Sequence, residues 1–387
     1  MRKNLINAFQ WNLQKLRLFV VCSILVSFCF CGSNNVVEYT PPETVLKLAP
    51  SENNPRNSEG DFVTLKDGTI LFIYTHYYGD SSSDHAPAYL AGRYSFDGGK
   101  TWTDEDVVIL ENEGEMNVMS VSLLRLQNGD IAMFYLQKNS TDDCIPFMRI
   151  SKDEGKSWSE AVRCINDKEG YFVLNNNRVI QLESGRLLMA VALHATPGEE
   201  WRNKAKLYSY FSDDNGQTWC PSSQVPDDTD IITQEPGLIE LEDGRVMMYI
   251  RASGGFQLIS YSNDKGETWS NVENSNIPSP LSPATIQKIP NSNDWLLVWN
   301  NNDGSDQNLK GKRTPLTAAI SKDEGKTWEH IVNIQDDPDG WYCYIAIHFV
   351  DDDSALLSYC AGSQSQKTHL SVTNITLLDI RWLYDQQ

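Results

Sequence analysis

The amino-acid sequence predicts an all-β fold, a single six-bladed β-propeller. Three observations predict it: a turn motif centred on aspartate occurs five times, a glycine-containing turn motif alternates with it, and the units are about 59 residues long. A chain of 387 residues could also hold two or three domains. Because the repeat spans nearly the whole chain after its N-terminal segment, we expect one domain.

The first 32 residues have the pattern of an export signal rather than of a folded element. Basic residues precede the apolar run 18–30, and the polar segment Gly32–Asn35 follows it. Cys31 resembles a bacterial lipoprotein attachment site, and a short membrane anchor is the other interpretation. We therefore expect a leader over 1–32, a linker over 33–44 and the propeller over 45–387. The exported protein would be periplasmic, on the cell surface or secreted, with Cys31 as the candidate lipid anchor.

The first motif reads Ser-x-Asp-x-Gly-x-Ser/Thr-Trp. Its aspartates are Asp97, Asp153, Asp214, Asp264 and Asp323. In each copy the carboxylate can bind turn amides, the glycine supplies a positive φ, and the tryptophan can pack beneath the turn. Each copy is therefore predicted to join the last two strands of a four-stranded unit.

The second motif is an apolar residue followed by a turn that ends in glycine. Its clear copies are Leu65–Gly68, Leu126–Gly129, Leu182–Gly185 and Leu241–Gly244, with degenerate copies at Ile289–Asp294 and Val350–Ser354. Each should join the first two strands of a unit. The sixth unit has no Asp motif, and we expect its outer strands from Thr368–Leu377 and the following segment. A strand near Val45–Leu48 should help to close the ring.

This connectivity predicts where an active site can lie. Both turn motifs mark one rim, so the starts of first strands, the ends of second strands and the loops that follow them lie on the opposite rim. The ionisable or nucleophilic candidates there are Arg56, Asp84, Glu235, Arg251, Arg313 and Tyr342. Further candidates on that rim for contact with substrate are His76, Tyr77 and Arg178. Arginines, carboxylates and a tyrosine at one mouth suit an anionic substrate and acid–base chemistry.

The five Ser-x-Asp-x-Gly-x-Ser/Thr-Trp copies are similar to the Asp boxes of the sialidase (neuraminidase) superfamily. Three segments resemble that family's site segments: Gln234-Glu235-Pro236 with Arg251 sixteen residues later, Lys312-Arg313 leading into an Asp box, and Gly340-Trp341-Tyr342-Cys343-Tyr344. Asp84, nine residues before Arg93, resembles the acid/base aspartate that precedes the first box. The resemblance covers nearly the whole chain after the leader.

The resemblance implies a role for each candidate. Tyr342 would be the nucleophile, although Tyr344 and Trp341 compete for that position, and Glu235 would take its proton. Asp84 would be the acid/base group. Arg251 and Arg313, with Arg56, would clamp the carboxylate of a sialic acid, and the glycoside would be cleaved with retention.

The sequence departs from the family pattern in three places. Arg56 lies about two residues too far from its turn, His76 or Tyr77 stands where the family has an arginine, and Tyr344 stands where an aspartate is common. Two alternatives therefore stay open: a glycosidase or lyase acting on another acidic glycan, and a glycan-binding propeller without catalysis.

Partners and cofactors follow from composition and motifs. A formal charge of −20 argues against nucleic acid and against an anionic membrane surface, since both need clustered basic side chains. We therefore expect sialylated or other acidic glycans as partners, and membrane contact only through a lipid anchor. The six histidines form no metal-binding motif, so we expect neither a metal nor a cofactor.

Overall fold

The computed structural model describes residues 39–386, whose regular secondary structure is β-strand except for one short helix. The predicted export signal over 1–32, with Cys31, and residues 33–38 of the predicted linker lie outside the described residues. Among residues 39–386, no helix has both the length and the apolar character needed to cross a membrane.

The strands, in chain order, are β1 (Glu43–Leu48), β2 (Asn57–Thr64), β3 (Ile70–Tyr77), β4 (Ala88–Ser95), β5 (Val107–Leu110), β6 (Asn117–Arg125), β7 (Ile131–Lys138), β8 (Cys144–Ser151), β9 (Val162–Arg163), β10 (Tyr171–Val173), β11 (Val179–Gln181), β12 (Leu187–Ala195), β13 (Lys206–Ser212), β14 (Cys220–Pro221), β15 (Thr233–Glu240), β16 (Val246–Ala252), β17 (Phe256–Ser262), β18 (Glu273–Pro278), β19 (Thr285–Lys288), β20 (Trp295–Trp299), β21 (Leu316–Ser321), β22 (Glu329–Gln335), β23 (Gly340–Phe349), β24 (Ser354–Ser363) and β25 (Thr373–Asp379). One short helix, α1, runs from Ile380 to Tyr384.

The strands form antiparallel meanders in chain order. Four sheets have four strands each, in the orders β2-β3-β4-β5, β15-β16-β17-β18, β19-β20-β21-β22 and β1-β25-β24-β23. A fifth sheet contains β6 to β14, and a single parallel bridge between Tyr171 and Cys144 joins its β6–β9 part to its β10–β14 part. In the latter part, β10 and β11 pair with successive stretches of β12 and together take the place of one first strand.

The first strands of successive units lie side by side. β2 packs against β6, β6 against β11, β11 against β15, β15 against β19, β19 against β23, and β23 returns to β2. No described sheet closes on itself, so this ring is made by side-chain packing between sheets. The predicted N-terminal strand is confirmed: β1 begins at Glu43 and pairs with β25 in the last sheet.

The five Asp motifs are turns between the last two strands of their units, as predicted. In the turn at Asp264, the carboxylate accepts bonds from the Ser262 hydroxyl at 2.7 Å and from the backbone amide of Thr268 at 2.8 Å, and also binds the Thr268 hydroxyl. The glycine of this turn, Gly266, has a φ of 92°. The same bonds recur in the other four copies. Since all five turns lie on one rim, the strand ends and loops that can form a site lie on the opposite rim.

Candidate active site

Four first strands share one irregularity near their starts. Glu59, Ser120, Glu235 and Tyr344 have φ values of 55°, 59°, 41° and 57°, and the strand register shifts at each of them. Glu59, Ser120 and Glu235 each lie nine residues before the glycine of the following turn, and Tyr344 lies nine residues before Asp353, which takes the place of that glycine in the degenerate turn. A β-bulge inserts one extra residue and turns a side chain in a new direction. The bulges therefore give these strands equivalent polar positions at the candidate rim.

Two of the bulge residues meet each other. The Tyr344 hydroxyl donates to Glu235 Oε1 over 3.4 Å, and Arg251 Nη1 lies 2.6 Å from the same oxygen. Asn175 donates to the other carboxylate oxygen over 3.5 Å. Glu235 and Arg251 are each 9% exposed. A phenol, a carboxylate and a guanidinium thus share one nearly water-free position.

Arg313 completes this cluster from the loop before β21. Its guanidinium carbon lies 5.6 Å from the centre of the Tyr344 ring and 5.3 Å from that of Trp341. Burial works to raise the pKa of Glu235, but the positive charges of Arg251 and Arg313 outweigh burial and lower it. Burial, followed by the negative charge of Glu235, raises the pKa of Tyr344 well above its usual range. The pair is therefore an ionised carboxylate beside a neutral phenol.

A second cluster forms around Arg56, which is fully buried just before β2. Its Nη1 binds the Asp84 carboxylate, and its Nη2 lies 3.1 Å from Glu59 Oε1. Its Nε donates to the Ser58 hydroxyl over 3.0 Å, and its guanidinium lies 4.6 Å from the Tyr77 ring centre. Arg56 is thus shared between two carboxylates and stacked on an aromatic ring.

The two carboxylates differ in exposure and in pKa. The Asp84 side chain is 55% exposed, whereas that of Glu59 is 4% exposed. Partial burial works to raise the pKa of Asp84, but the charge and hydrogen bond of Arg56 outweigh it and lower the pKa. For Glu59 burial prevails, and its pKa is raised despite Arg56. Asp84 is therefore the anion that faces solvent.

The backbone around Asp84 is held from the neighbouring unit. Lys138 Nζ donates to the Asp84 carbonyl over 2.7 Å, and the Asn117 amide donates to the same oxygen over 2.9 Å. Beside this loop lies a cavity of about 600 Å³, which we term the mouth cavity. Asp84, Tyr171 and Trp201 are among the residues that line it. Asp84 thus sits at the wall of a space large enough for a sugar.

Two thiols lie between the clusters. Cys343 and Cys360 are direct cross-strand partners on β23 and β24. Burial works to raise the pKa of Cys343, but hydrogen bonds to Cys360 and Arg313 outweigh it and lower the pKa. The hydrogen bond to Cys343 and burial raise the pKa of Cys360 well above its usual range. The negative charge of Glu59 raises this pKa further, and the positive charge of Arg56 lowers it. The charges of Arg56 and Arg313 therefore act on the same cross-strand pair of thiols.

The structure brings Tyr344, not Tyr342, to Glu235. Tyr342 alternates to the other face of β23, where its ring packs 6.1 Å from that of Tyr359 in the apolar core. The bulge between Cys343 and Ala346 is the physical reason, because it turns Tyr344 toward the rim. The structure thus places Tyr344, the competing candidate, beside Glu235 where Tyr342 was expected.

None of the other three expected substrate contacts faces the open site. Arg178 is fully buried and donates to the Tyr249 hydroxyl over 2.9 Å and to the Ala284 carbonyl over 2.6 Å, so its guanidinium ties units together. His76 faces the outer strands, with Nδ1 2.8 Å from Asp106. Tyr77 does lie at the rim side, but it is buried beneath Arg56 and supports that side chain.

Glu59, Ser120 and Lys138 belong to the site and were missed by sequence reasoning. Ser120 donates to Glu59 Oε2 over 3.2 Å, and the charge of Lys138 acts on Glu59. The constant nine-residue offset from the turn was the available signal for both bulge residues. Within residues 39–386, no group of three or more His, Cys, Asp or Glu side chains is placed to hold a metal ion.

Comparison with known proteins finds a repeat family and several relatives of this chain. Residues 90–369 match the family model of the BNR repeat-like domain. A sialidase of Clostridium perfringens is 27% identical over 274 residues, covering 62% of this chain and 69% of the relative. A sialidase of Bacteroides fragilis is 24% identical over 373 residues, covering 87% of this chain and 64% of the relative, so the chain spans less than two thirds of that protein.

The solved structures agree on the fold. A leech intramolecular trans-sialidase complexed with 2,7-anhydro-Neu5Ac superimposes with a TM-score of 0.69 at 15% identity, covering 89% of this chain and 71% of that one. Its likeness supports the β-propeller architecture. With the repeat-family match over most of the chain, the comparisons show that this chain belongs to the BNR-repeat family and to the sialidase superfamily of glycoside hydrolases.

Proposed function

We propose that the chain is a retaining exo-sialidase that releases terminal sialic acid from glycoconjugates, with Tyr344 as the nucleophile. The single observation that carries the proposal is the contact of the Tyr344 phenol with Glu235, which also binds Arg251. We further propose that the propeller has six blades, the nine-stranded sheet counting as two.

A neutral tyrosine suits this substrate. The anomeric carbon of a sialic acid carries a carboxylate, which would repel an anionic nucleophile. Tyr344 keeps its proton at rest, and the ionised Glu235, 3.4 Å away, can accept that proton during attack. The bond from Tyr344 Oη to the anomeric carbon forms as the bond to the leaving oxygen breaks. Water then displaces Tyr344, and the two inversions give net retention.

The arginines suit the carboxylate of the substrate. Arg313 lies over the Tyr344 ring, and Arg251 lies beside Glu235, so both can bind an anion next to the nucleophile. Both are nearly buried, so their hydrogen bonds to the substrate would be little screened by water. These local charges can bind an anionic sugar despite the chain's net charge of −20.

Asp84 is the proposed acid/base group. It lines the mouth cavity and its side chain is half-exposed, so it can exchange protons with solvent. It would protonate the leaving oxygen in the first step and activate water in the second. The proposed partners are sialylated glycans. The leader at 1–32 motivates the proposal that the protein is exported, with Cys31 as its candidate lipid anchor.

One observation favours a second candidate. Arg56 is already paired with Glu59 and Asp84, and Arg251 with Glu235, so of the three arginines Arg313 alone has no carboxylate ion pair within residues 39–386. A glycosidase or lyase for another acidic sugar would fit this arrangement. A glycan-binding propeller without catalysis is the outcome to expect if ligands bind without turnover.

The test is turnover of a fluorogenic sialoside beside a panel of uronic-acid glycosides, with product analysis. We expect free sialic acid as the product. Tyr344→Phe should lower kcat by at least about 100-fold, because it removes the bond-forming oxygen. Tyr342→Phe is the matched control, two residues away on the same strand, and should keep nearly full activity. Equal activity of the two variants, or turnover of uronic-acid substrates alone, would reject the proposal.

A further inference from the structure

This inference rests on the proposed function. The ion pair between Arg56 and Asp84 conflicts with the role of Asp84 as an acid. An acid that donates a proton to the leaving oxygen must carry that proton when the substrate is bound. In the resting structure, however, Asp84 is ion-paired with Arg56, and such a pair favours the carboxylate. A change in the partner of Arg56 resolves the conflict.

We propose that Arg56 exchanges partners on substrate binding: its Nη1 leaves Asp84 for the carboxylate of the acidic sugar, and the released Asp84 takes up one proton from solvent. Arg56 is then a substrate-binding residue only in the loaded site. In the resting site it keeps the acid ionised.

The hydrogen bonds of Arg56 separate a fixed part from a free part. Nε is bound to Ser58 at 3.0 Å and Nη2 to Glu59 at 3.1 Å, and both partners are buried. The guanidinium also lies 4.6 Å from the Tyr77 ring centre. Only Nη1 faces the Asp84 loop, where its partners are Asp84 and the Ser82 carbonyl at 3.4 Å. Loss of Asp84 would therefore leave the orientation of Arg56 intact.

Asp84 can move without unfolding its loop. The Asp84 carbonyl, not its carboxylate, is what Lys138 and Asn117 hold. The carboxylate is half-exposed and lines the mouth cavity, so a side-chain rotation takes it from Arg56 toward the cavity. The exchange thus needs one rotamer change in an anchored loop.

Charged groups on both sides of Asp84 decide whether its carboxyl group carries a proton. Arg56, Lys138 and His85 act on it from the basic side. Glu59 lies across Arg56, and Asp142 and Glu199 line the same cavity. A ligand carboxylate would replace Asp84 at Arg56 and add a negative charge to this set. Without Arg56, partial burial and the neighbouring anions favour the protonated acid. That proton then passes to the leaving oxygen.

The location of Arg56 is compatible with a shared ligand. The bulges of β2 and β23 are adjacent, since the Asn176 amide donates to the Gly60 carbonyl over 2.9 Å and to the Tyr344 carbonyl over 3.1 Å. Arg56 binds Glu59 of the first bulge, and Arg313 lies over the Tyr344 ring of the second, so an anion bound beside Tyr344 would lie near the Nη1 that the exchange releases. The exchange would supply the third arginine contact that the resting site lacks.

Calorimetry tests the exchange directly. Binding of 2-deoxy-2,3-didehydro-N-acetylneuraminic acid, which is not turned over, is measured between pH 4.5 and 7 in buffers with different ionisation enthalpies. We expect proton uptake that approaches one per bound ligand. Asp84→Asn should abolish most of the uptake and bind about three- to tenfold more tightly at pH 7, since no ion pair must be broken. Asp80→Asn, an exposed carboxylate four residues away in the same loop and outside the mouth cavity, should behave as the wild type.

The outcomes separate the two proposals. Binding without buffer dependence in the wild type, or unchanged affinity in Asp84→Asn, overturns the exchange and leaves the proposed function standing. Absence of binding by folded wild-type protein overturns both. Because the proton count is measured on the wild type, a poorly folding variant does not remove the test.

Discussion

Replacing Glu235 with glutamine should separate catalysis from binding in an unusual way. The substitution keeps the shape of the side chain but removes its charge. Tyr344 then has no base to accept its proton, while Arg251, 2.6 Å from the carboxylate in the wild type, loses its counter-ion. We therefore expect kcat to fall and the affinity for an anionic ligand to rise.

The magnitude follows from the geometry. A positioned general base contributes about 10²- to 10⁴-fold, or about 3–5 kcal/mol of activation free energy. Within the described residues, Glu235 is the one hydrogen-bond partner of the Tyr344 hydroxyl, so the full range applies. Removing the competing anion from Arg251 should lower the dissociation constant of a sialic acid analogue about three- to tenfold. Loss of the nearly buried pair should cost about 1–3 kcal/mol of folding stability.

The assay combines steady-state kinetics on a fluorogenic sialoside with calorimetric binding and a thermal melt. The melt establishes that the variant is folded at the assay temperature. A kcat within about threefold of the wild type would refute the role of Glu235 as base. Weaker binding with unchanged kcat would show that Glu235 merely positions Arg251.

Two further predictions concern buried charges away from the mouth. Arg178→Met should destabilise the fold by about 3 kcal/mol, because Tyr249 and Ala284 lose a buried donor, while kcat and KM of the folded enzyme stay unchanged; a selective loss of activity in a variant of full thermal stability would contradict this. Burial raises the pKa of Asp61 to about 7, against about 3.9 in an unfolded chain. Folding therefore favours its protonated form, and this contribution is present below about pH 4 and is lost as the pH rises to about 7. Unfolding titrations should show Asp61→Asn gaining stability relative to the wild type from pH 4 to 7, and a parallel pH dependence of the two proteins would be the contrary result.

The strand order could be predicted from the sequence because each turn motif carries its own local chemistry. Asp264 and Gly266 specify a turn wherever they occur, and five copies fix the connectivity. Glu235 and Arg251 were predicted for the same reason, since one hairpin places both at the rim. The position of β1 in the last sheet also followed from the need to close the ring.

The rest of the site depends on irregularities and on distant partners. Tyr342 and Tyr344 are two residues apart, so a regular strand would place both side chains on the same face. The bulge between Cys343 and Ala346 instead turns Tyr344 toward the rim. Arg178 follows a break between β10 and β11, and its partners come from units more than 70 residues away along the chain. No local pattern specifies such contacts. Glu59 could have been found, because it shares the offset of Glu235 from the turn.

The most direct test of the proposed chemistry is to trap the covalent intermediate. A 2,3-difluorinated sialic acid slows both displacement steps, and its adduct can be located by intact-mass and peptide mass spectrometry. A single sialyl adduct on Tyr344, absent from Tyr344→Phe and present in Tyr342→Phe, is the predicted result. An adduct on Tyr342 or on a carboxylate, or inactivation without any adduct, would contradict the assignment of Tyr344 as nucleophile.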